Sequence, residues 1–329
     1  MCEFLLCVEN FFIRKGQTMR IKTDVPNNTL LENFKAHLIN QDLAPKTIRG
    51  YSHDLKLFSE WIASISLEKP ISMVQVSVVD LAAFRKYLTE EKSQKPATVN
   101  RRIQSLRLFY RWLKEQKYIE SNPSEKLHFI RVSKHQKPYA ITREEVLSIL
   151  RAANSSPHKM GKRNFALVQL MLQTGMRVSE VADLKQENTK IKAHGGFVRI
   201  VGKGMREREV PLNTSARKAL SEYWEAIGWA SPKNPVFFSN RKTALSARTI
   251  QKIIANIVKR AGITRIQVSN NTFRHTFAAN YLKSNPGKLV ELSSLLGHES
   301  LNTTAIYTWP TGEDLAKDLE RIPLNVLGE

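Results

Sequence analysis

The chain has 329 residues, enough for two domains of ordinary size, and its 42% apolar and 25% charged residues are those of a folded globular protein. Its 51 Lys+Arg against 30 Asp+Glu leave a net charge of +21, and both halves carry the excess: 21 basic to 12 acidic residues from Met19 to Pro138, 28 to 16 from Tyr139 to Glu329. Charge spread in this way suits a protein that grips a polyanion from two sides, and Cys2 and Cys7, the only cysteines, exclude a disulfide framework, a cysteine nucleophile or a cysteine zinc site in the rest of the chain.

The first 18 residues are mildly apolar but interrupted by Glu3 and Glu9, with no basic segment ahead of them. They make a poor signal peptide and are too short to span a membrane; they read as a disordered stretch ahead of a natural start at Met19. From about Thr29 to Lys117 the apolar spacing predicts four helices. Leu30, Leu31, Phe34, Leu38 and Ile39 mark the first, and Pro45 opens the second, with Ile48, Tyr51, Leu55, Phe58 and Ile62 on one stripe. Val78, Leu81, Phe84 and Leu88 mark the third, and Val99, Ile103, Leu106, Tyr110 and Leu113 the fourth. Lys46 and Arg49 decorate the second helix and Arg101, Arg102, Arg107 and Arg111 the fourth. A basic helix face is ordinarily just solvated, but in a chain this basic these six are candidate DNA contacts.

Residues 19–126 thus form a helical domain, and residues 127–138, rich in Lys, Arg and His and closed by Pro138, read as an exposed basic linker. The second domain, 139–329, begins with a helix start at Thr142 backed by Glu144 and Glu145. Helices are predicted near 163–173 and 178–184, strands over 197–201 and 207–212 joined by a tight turn at Gly202 and Gly204, then helices near 214–227, 247–261, 272–282, 289–296 and 301–308 and a short charged segment over 313–321. The fold class is mainly α with a small antiparallel sheet (α+β).

Within this second domain stand, in order, Arg177, Lys203, Arg274, His298 and Tyr307. Attack on a phosphodiester needs a nucleophile, positive groups for the non-bridging oxygens and a proton donor for the leaving oxygen. The arginine fork matches phosphate geometry and keeps its charge. Glu180, three residues after Arg177, falls on the same helical face and can hold it. Lys203 stands between two glycines where a lysine is usually a solvated charge; it is not followed by Ser or Thr, so it is no nucleotide-binding loop. Phe273 and Phe277 face a core, so Arg274 and His275 emerge at a helix start, a place that favours phosphate; His275 by itself reads as a hydrogen-bonded structural histidine. A lone tyrosine at helical spacing is more often core than nucleophile, and only the ordered set makes Tyr307 a candidate. No metal-binding cluster and no cofactor motif accompanies it.

The segments TGMRVSEVADL, VGKG, FRHTFAANYL and LLGHESLNTTAIYT resemble the tyrosine recombinase (phage integrase) superfamily, above all its Xer-type and simple integrase members, and LAPKTIRGYSHDLKLF is similar to the core-binding domain of that family. The resemblance implies that residues 139–329 are a catalytic domain with a C-terminal tail. It implies a site-specific recombinase in which Tyr307 forms a 3′-phosphotyrosyl bond, Arg177 and Arg274 bind the non-bridging oxygens, Lys203 protonates the 5′ oxygen and His298 hydrogen-bonds the phosphate, without metal or ATP. It further implies a double-stranded DNA substrate, a dimer on an inverted repeat, a tetramer in the synapse, accessory DNA-binding proteins in some systems, no membrane and a cytoplasmic setting.

The chain departs from the family pattern at one position. The residue three before Arg274 is commonly His and here is Asn271, which can donate a hydrogen bond but cannot carry a proton near neutral pH. His275 is not expected to substitute, because it points about 100° away from Arg274 on a helix. The alternatives are a DNA-binding or architectural protein with impaired catalysis, for which Asn271 speaks, and a type IB topoisomerase-like enzyme.

Overall fold

The structure, a computed structural model, describes residues 25–65, 71–132, 138–156, 158–201, 207–228, 231–310 and 312–322. Contacts divide the chain into two compact units, Met1–Ser133 and Lys134–Glu329. Among the described residues no helix is long and apolar enough to cross a membrane.

The first unit holds α1 (Asn27–Asn40), α2 (Pro45–Ile65), α3 (Val78–Lys86), which runs on into a π-turn over Tyr87–Glu91, and α4 (Pro96–Glu115). Pro45 and Pro96 open their helices, where a missing N–H costs nothing. Ser77 and Asp80 form a reciprocal capping box for α3. The helices bury Phe34, Phe58, Phe84 and Phe109, and Tyr110 spends its hydroxyl on the Met73 carbonyl at 3.1 Å.

The basic residues of α4 differ in what surrounds them. Arg101 is a bidentate partner of buried Asp54, which also accepts from Ser105 at 2.8 Å. Arg107 donates to the Leu127 carbonyl at 2.7 Å and lies 4.6 Å over the Phe129 ring. Asn100 exchanges two 2.8 Å bonds with the Ile130 backbone, and Arg85 donates to the His128 carbonyl. Residues 127–130, expected to be the start of an exposed linker, are therefore fastened to α3 and α4, because Leu127 and Ile130 have apolar surface to bury there. Residues 133–137 of that expected linker lie outside the described residues.

The second unit has α5 (Arg143–Asn154), α6 (His158–Thr174), α7 (Val178–Ala182), β1 (Thr189–Lys192), β2 (Gly195–Val201), β3 (Glu207–Pro211), α8 (Thr214–Ile227), α9 (Ala247–Arg260), α10 (Asn270–Ser284), α11 (Leu289–Leu296), α12 (Leu301–Ala305) and α13 (Gly312–Glu320). The sheet is antiparallel in the order β1-β2-β3, with Val198 opposite both Thr189 and Val210. β1 lies outside the strands expected from the sequence; its four residues include two exposed lysines and carry no apolar run. α6 is the axis of the unit, packing against α5, α8 and α10 through Leu167, Leu170 and Met171. The entry to the unit is tied to α10 by the Ile141 amide, which donates to Thr276 at 2.9 Å, and to Arg265, which donates to the Ala140 carbonyl and pairs with Glu145 at 2.8 Å.

Candidate active site

The helix breaks on either side of Arg177 create the site. Gly175 ends α6 with φ +61°, and a Cβ there would stand 2.5 Å from the Phe277 ring and 2.9 Å from Leu296. Glycine relieves both the left-handed backbone and that crowding. Arg177 then caps α7: its amide donates to the Glu180 carboxylate at 2.7 Å while its guanidinium reaches the other carboxylate oxygen at 3.0 Å. The expected support from Glu180 is present and goes through backbone as well as side chain.

Arg177 also reaches across to the end of α11, donating to the Leu296 carbonyl at 3.5 Å and the Gly297 carbonyl at 3.4 Å. Arg274, on α10, donates to the same Leu296 carbonyl at 2.8 Å and to the Gly175 carbonyl at 2.8 Å. Two arginines far apart in sequence thus converge on one turn. Arg177 is half-exposed, whereas Arg274 is 6% exposed. Burial, and then the nearby Arg177 charge, push Arg274 down to about 10, which still leaves it charged at neutral pH.

The next residue of that turn is His298. Its Nδ1 lies 2.7 Å from the hydroxyl of fully buried Thr304, which leaves Nε2 as the ring nitrogen open to a ligand. Burial, with Arg274, Arg177 and Arg208 nearby, pushes His298 down to about 4, so the ring is neutral at pH 7. Tyr307 follows α12 and is 5% exposed. Burial pushes its phenol up, against the pull of Arg274 and Arg177, so it holds its proton at rest.

Three residues make contacts that the sequence did not announce. Arg208 of β3 donates to Glu180 at 2.9 Å and to the Leu295 carbonyl at 3.0 Å. Burial alone would push the Glu180 carboxyl up, but the bonds from Arg208 and the Arg177 amide outweigh it and hold the group below the usual carboxylate range. Thr304 orients His298. The third involves His275, which is hydrogen-bonded as its own reading has it, but to the candidate nucleophile: the Tyr307 hydroxyl lies 2.8 Å from His275 Nδ1. The 100° turn separates His275 from Arg274, but the offset that matters is from Asn271, four residues earlier and on nearly the same helical face. Asn271 itself is exposed and makes no side-chain hydrogen bond among the described residues. His275 is lowered by burial and by Arg274, so it too is neutral at pH 7.

A cleft of about 810 Å³ opens on Arg177, Arg208 and His298, lined also by Arg199, Glu207 and Glu299. Arg274 and Tyr307 do not line it; Arg274 is buried and the tyrosine hydroxyl is engaged by His275. Lys203, with Gly202 and Gly204, lies outside the described residues. In the first unit Lys46, Arg49 and Arg111 are exposed, Arg101 and Arg107 are engaged as described, and Arg102 is half-buried with its Nε and one terminal nitrogen unpartnered. Among the described residues no group of three or more His, Cys, Asp or Glu side chains could hold a metal ion.

Residues 139–313 match the phage integrase family, and residues 31–117 match the phage integrase N-terminal SAM-like domain. The tyrosine recombinase XerC of Oceanobacillus iheyensis is 33% identical over 292 residues, covering 87% of this chain and 92% of that protein. XerC of Anoxybacillus flavithermus is 32% identical over 297 residues, covering 88% and 95%. Among solved structures, XerH site-specific recombinase bound to palindromic difH substrate in a post-cleavage complex shares the fold with a TM-score of 0.72 at 23% identity, over 88% of this chain and 83% of that one. A lambda integrase (75–356) dimer bound to a COC′ core site has a TM-score of 0.67 at 20% identity, over 84% and 96%. Neither an architectural protein nor a topoisomerase is supported by these likenesses. An ordered pair of arginines gathered on one α11 carbonyl, a histidine and a buried tyrosine beside them, and matches that span both units lead to one assignment: the chain belongs to the phage integrase family and is a tyrosine site-specific recombinase of the Xer/integrase type.

Proposed function

We propose that Tyr307 is the nucleophile of this recombinase, attacking a DNA phosphodiester to form a 3′-phosphotyrosyl bond and release a 5′-hydroxyl. The observation that carries this reading is the convergence of Arg177 and Arg274 on the Leu296 carbonyl, one turn that also presents His298. A phosphate seated at the Arg177 guanidinium would meet preorganised positive charge at its non-bridging oxygens, an arrangement that costs no reorganisation as charge develops. His298, held by Thr304 at Nδ1, would offer Nε2 to the same phosphate. Lys203 would supply the proton to the departing 5′ oxygen. Asn271 stands where the proton-carrying histidine is common, and its exposed amide limits it to a hydrogen bond. The bond energy stays in the phosphotyrosine, so a 5′-hydroxyl from a partner duplex reverses the step without ATP.

The substrate in this reading is double-stranded DNA, gripped by both units. Lys46, Arg49 and Arg111, exposed on α2 and α4, serve as phosphate contacts, with Arg102 a further candidate; Arg101 and Arg107 belong to the same set and have partners within the fold as well. A dimer on an inverted repeat and a tetramer in the synapse follow the assembly of relatives such as lambda integrase, solved as a dimer on a core site and as a tetramer bound to a Holliday junction. Accessory DNA-binding proteins and a cytoplasmic setting complete the proposal. The test is a nicked duplex carrying the site that the protein selects from a random pool. Wild-type protein gives a covalent adduct on a denaturing gel and Tyr307→Phe gives none; an adduct with Tyr307→Phe removes Tyr307 from the role.

A further inference from the structure

We propose that His275 is the residue that takes the phenolic proton when Tyr307 attacks, so that this chain carries its proton acceptor one helical turn beyond Asn271. The inference rests on the reading of Tyr307 as nucleophile and adds the group that activates it.

Geometry carries it. Tyr307 is 5% exposed, so water has little access to its hydroxyl, and among the described residues the partner of that hydroxyl is His275 Nδ1 at 2.8 Å. The two rings lie 5.6 Å apart and are tilted by 51°, with the hydroxyl within hydrogen-bond distance of Nδ1. A base must reach the proton it removes within about 2.6–3.2 Å, and this one does. Asn271 cannot take a proton at all. The four-residue spacing from Asn271 to His275 keeps the two on nearly the same side of α10. The sequence therefore has a base on that side of the helix, displaced by one turn.

The electrostatics agree. His275 is neutral at pH 7, so with its ring proton on Nε2 its Nδ1 lone pair faces the phenol. The groups bearing on the pair are Arg274 beside His275 on α10 and Arg177 between α6 and α7, with Glu180 of α7, Arg208 of β3 and His298 after α11 arrayed around those guanidinium groups. The positive field disfavours an imidazolium and favours the phenolate. A bound phosphodiester brings the negative charge that offsets the first effect.

The Tyr307 O–H bond breaks and its proton passes to His275 Nδ1; the phenolic oxygen bonds to phosphorus; the bond from phosphorus to the 5′ oxygen breaks, and that oxygen takes a proton from the general acid, assigned above to Lys203. In the return step the imidazolium gives its proton back to the departing tyrosine.

The experiment is single-turnover cleavage of the selected nicked duplex from pH 5 to 9, with a second duplex carrying sulfur at the scissile 5′ bridging position. A thiolate needs no proton to leave, so its pH dependence reports the nucleophile side alone. His275→Gln keeps a hydrogen-bonding side chain but cannot accept a proton, and His275→Ala opens room for added imidazole. The expected result is that wild type reaches a plateau above the titration of His275, while His275→Gln is slower at pH 7 by roughly a hundred-fold or more and keeps rising with pH on the sulfur substrate. Imidazole restores part of the rate to His275→Ala. A His275→Gln protein that binds DNA normally and keeps the wild-type rate, or is slower with an unchanged pH profile, overturns the proposal. An adduct from Tyr307→Phe in the same assay overturns the underlying reading instead, so the two failures are told apart.

Discussion

Arg208 and Arg177 hold the two oxygens of one buried carboxylate: Glu180 Oε2 accepts from Arg208 at 2.9 Å and Oε1 from Arg177 at 3.0 Å. The side chain of Glu180 is 9% exposed and that of Arg208 15%. Glu180 therefore joins β3, α7 and, through the carbonyl that Arg208 also grips, the end of α11.

Loss of Arg208 leaves a buried carboxylate with half its partners. Arg208→Ala should destabilise the protein by about 1.5–3 kcal/mol, the usual range for a hydrogen bond to a charged group. It should also loosen Arg177 and slow cleavage by more than it weakens DNA binding. Urea denaturation and single-turnover cleavage check the two parts; an unchanged denaturation midpoint would show that Arg208 bears no load.

Two glycines of the site have φ near +60° and no room for a side chain, but their neighbours differ. At Gly175 a Cβ meets the Phe277 ring at 2.5 Å, and at Gly297 it meets the Arg208 guanidinium at 2.7 Å. A ring in a packed core yields less than the end of a flexible side chain. Both alanine variants carry a backbone cost of about 1–2 kcal/mol, and Gly175→Ala should lose about 1–3 kcal/mol more through repacking. Gly297→Ala should instead show its larger defect in cleavage, since it displaces Arg208. Thermal melts and adduct yields on the two variants separate these outcomes.

The histidines make stability depend on pH in a known direction. His298, at about 4 in the folded protein against an ordinary 6.5, binds its proton more readily in the unfolded chain, and His275 is shifted the same way. Between about pH 6.5 and 4 the unfolded state therefore holds more protons, and stability falls as pH falls through that window. His298→Gln should flatten part of this slope. Urea midpoints at pH 7 and pH 5 for wild type and variant test it; equal slopes would contradict the shift.

Arg107 and Arg111 lie one helical turn apart on α4, and they should separate folding from binding. Arg107→Ala should lower the melting temperature, because the Leu127 carbonyl and the Phe129 ring lose their partner. Arg111→Ala should leave stability within about 0.5 kcal/mol and reduce the salt dependence of DNA binding by about one unit of slope. Binding isotherms across a salt series, set beside thermal melts, resolve the two.

Much of the site could be found from sequence because its parts sit in short local motifs. Gly175–Glu180 is a helix stop, a cap and a helix start, and Gly297-His298 is a left-handed helix end. Each depends on neighbours within one or two turns, and the helix bounds of α8 and α11 agree with the apolar spacing for the same reason. β1 escaped because its four residues hold a single apolar side chain, Ile191, too short a pattern to mark a strand, and it exists through pairing with β2.

What the chain's order and composition determined was the helical architecture, the set of Arg177, Arg274, His298 and Tyr307, and the family to which they point. Tertiary structure decided which side chains meet. Arg101 and Arg107, two of the candidate DNA contacts, also find partners within the fold, the Asp54 carboxylate and the Leu127 carbonyl, which no helical periodicity announces. Arg208 and Glu180 stand 28 residues apart and His275 and Tyr307 stand 32 apart. No periodicity reports such distances. They are set by how helices and strands pack, and buried polar groups then take whatever partner the packing brings within hydrogen-bond reach.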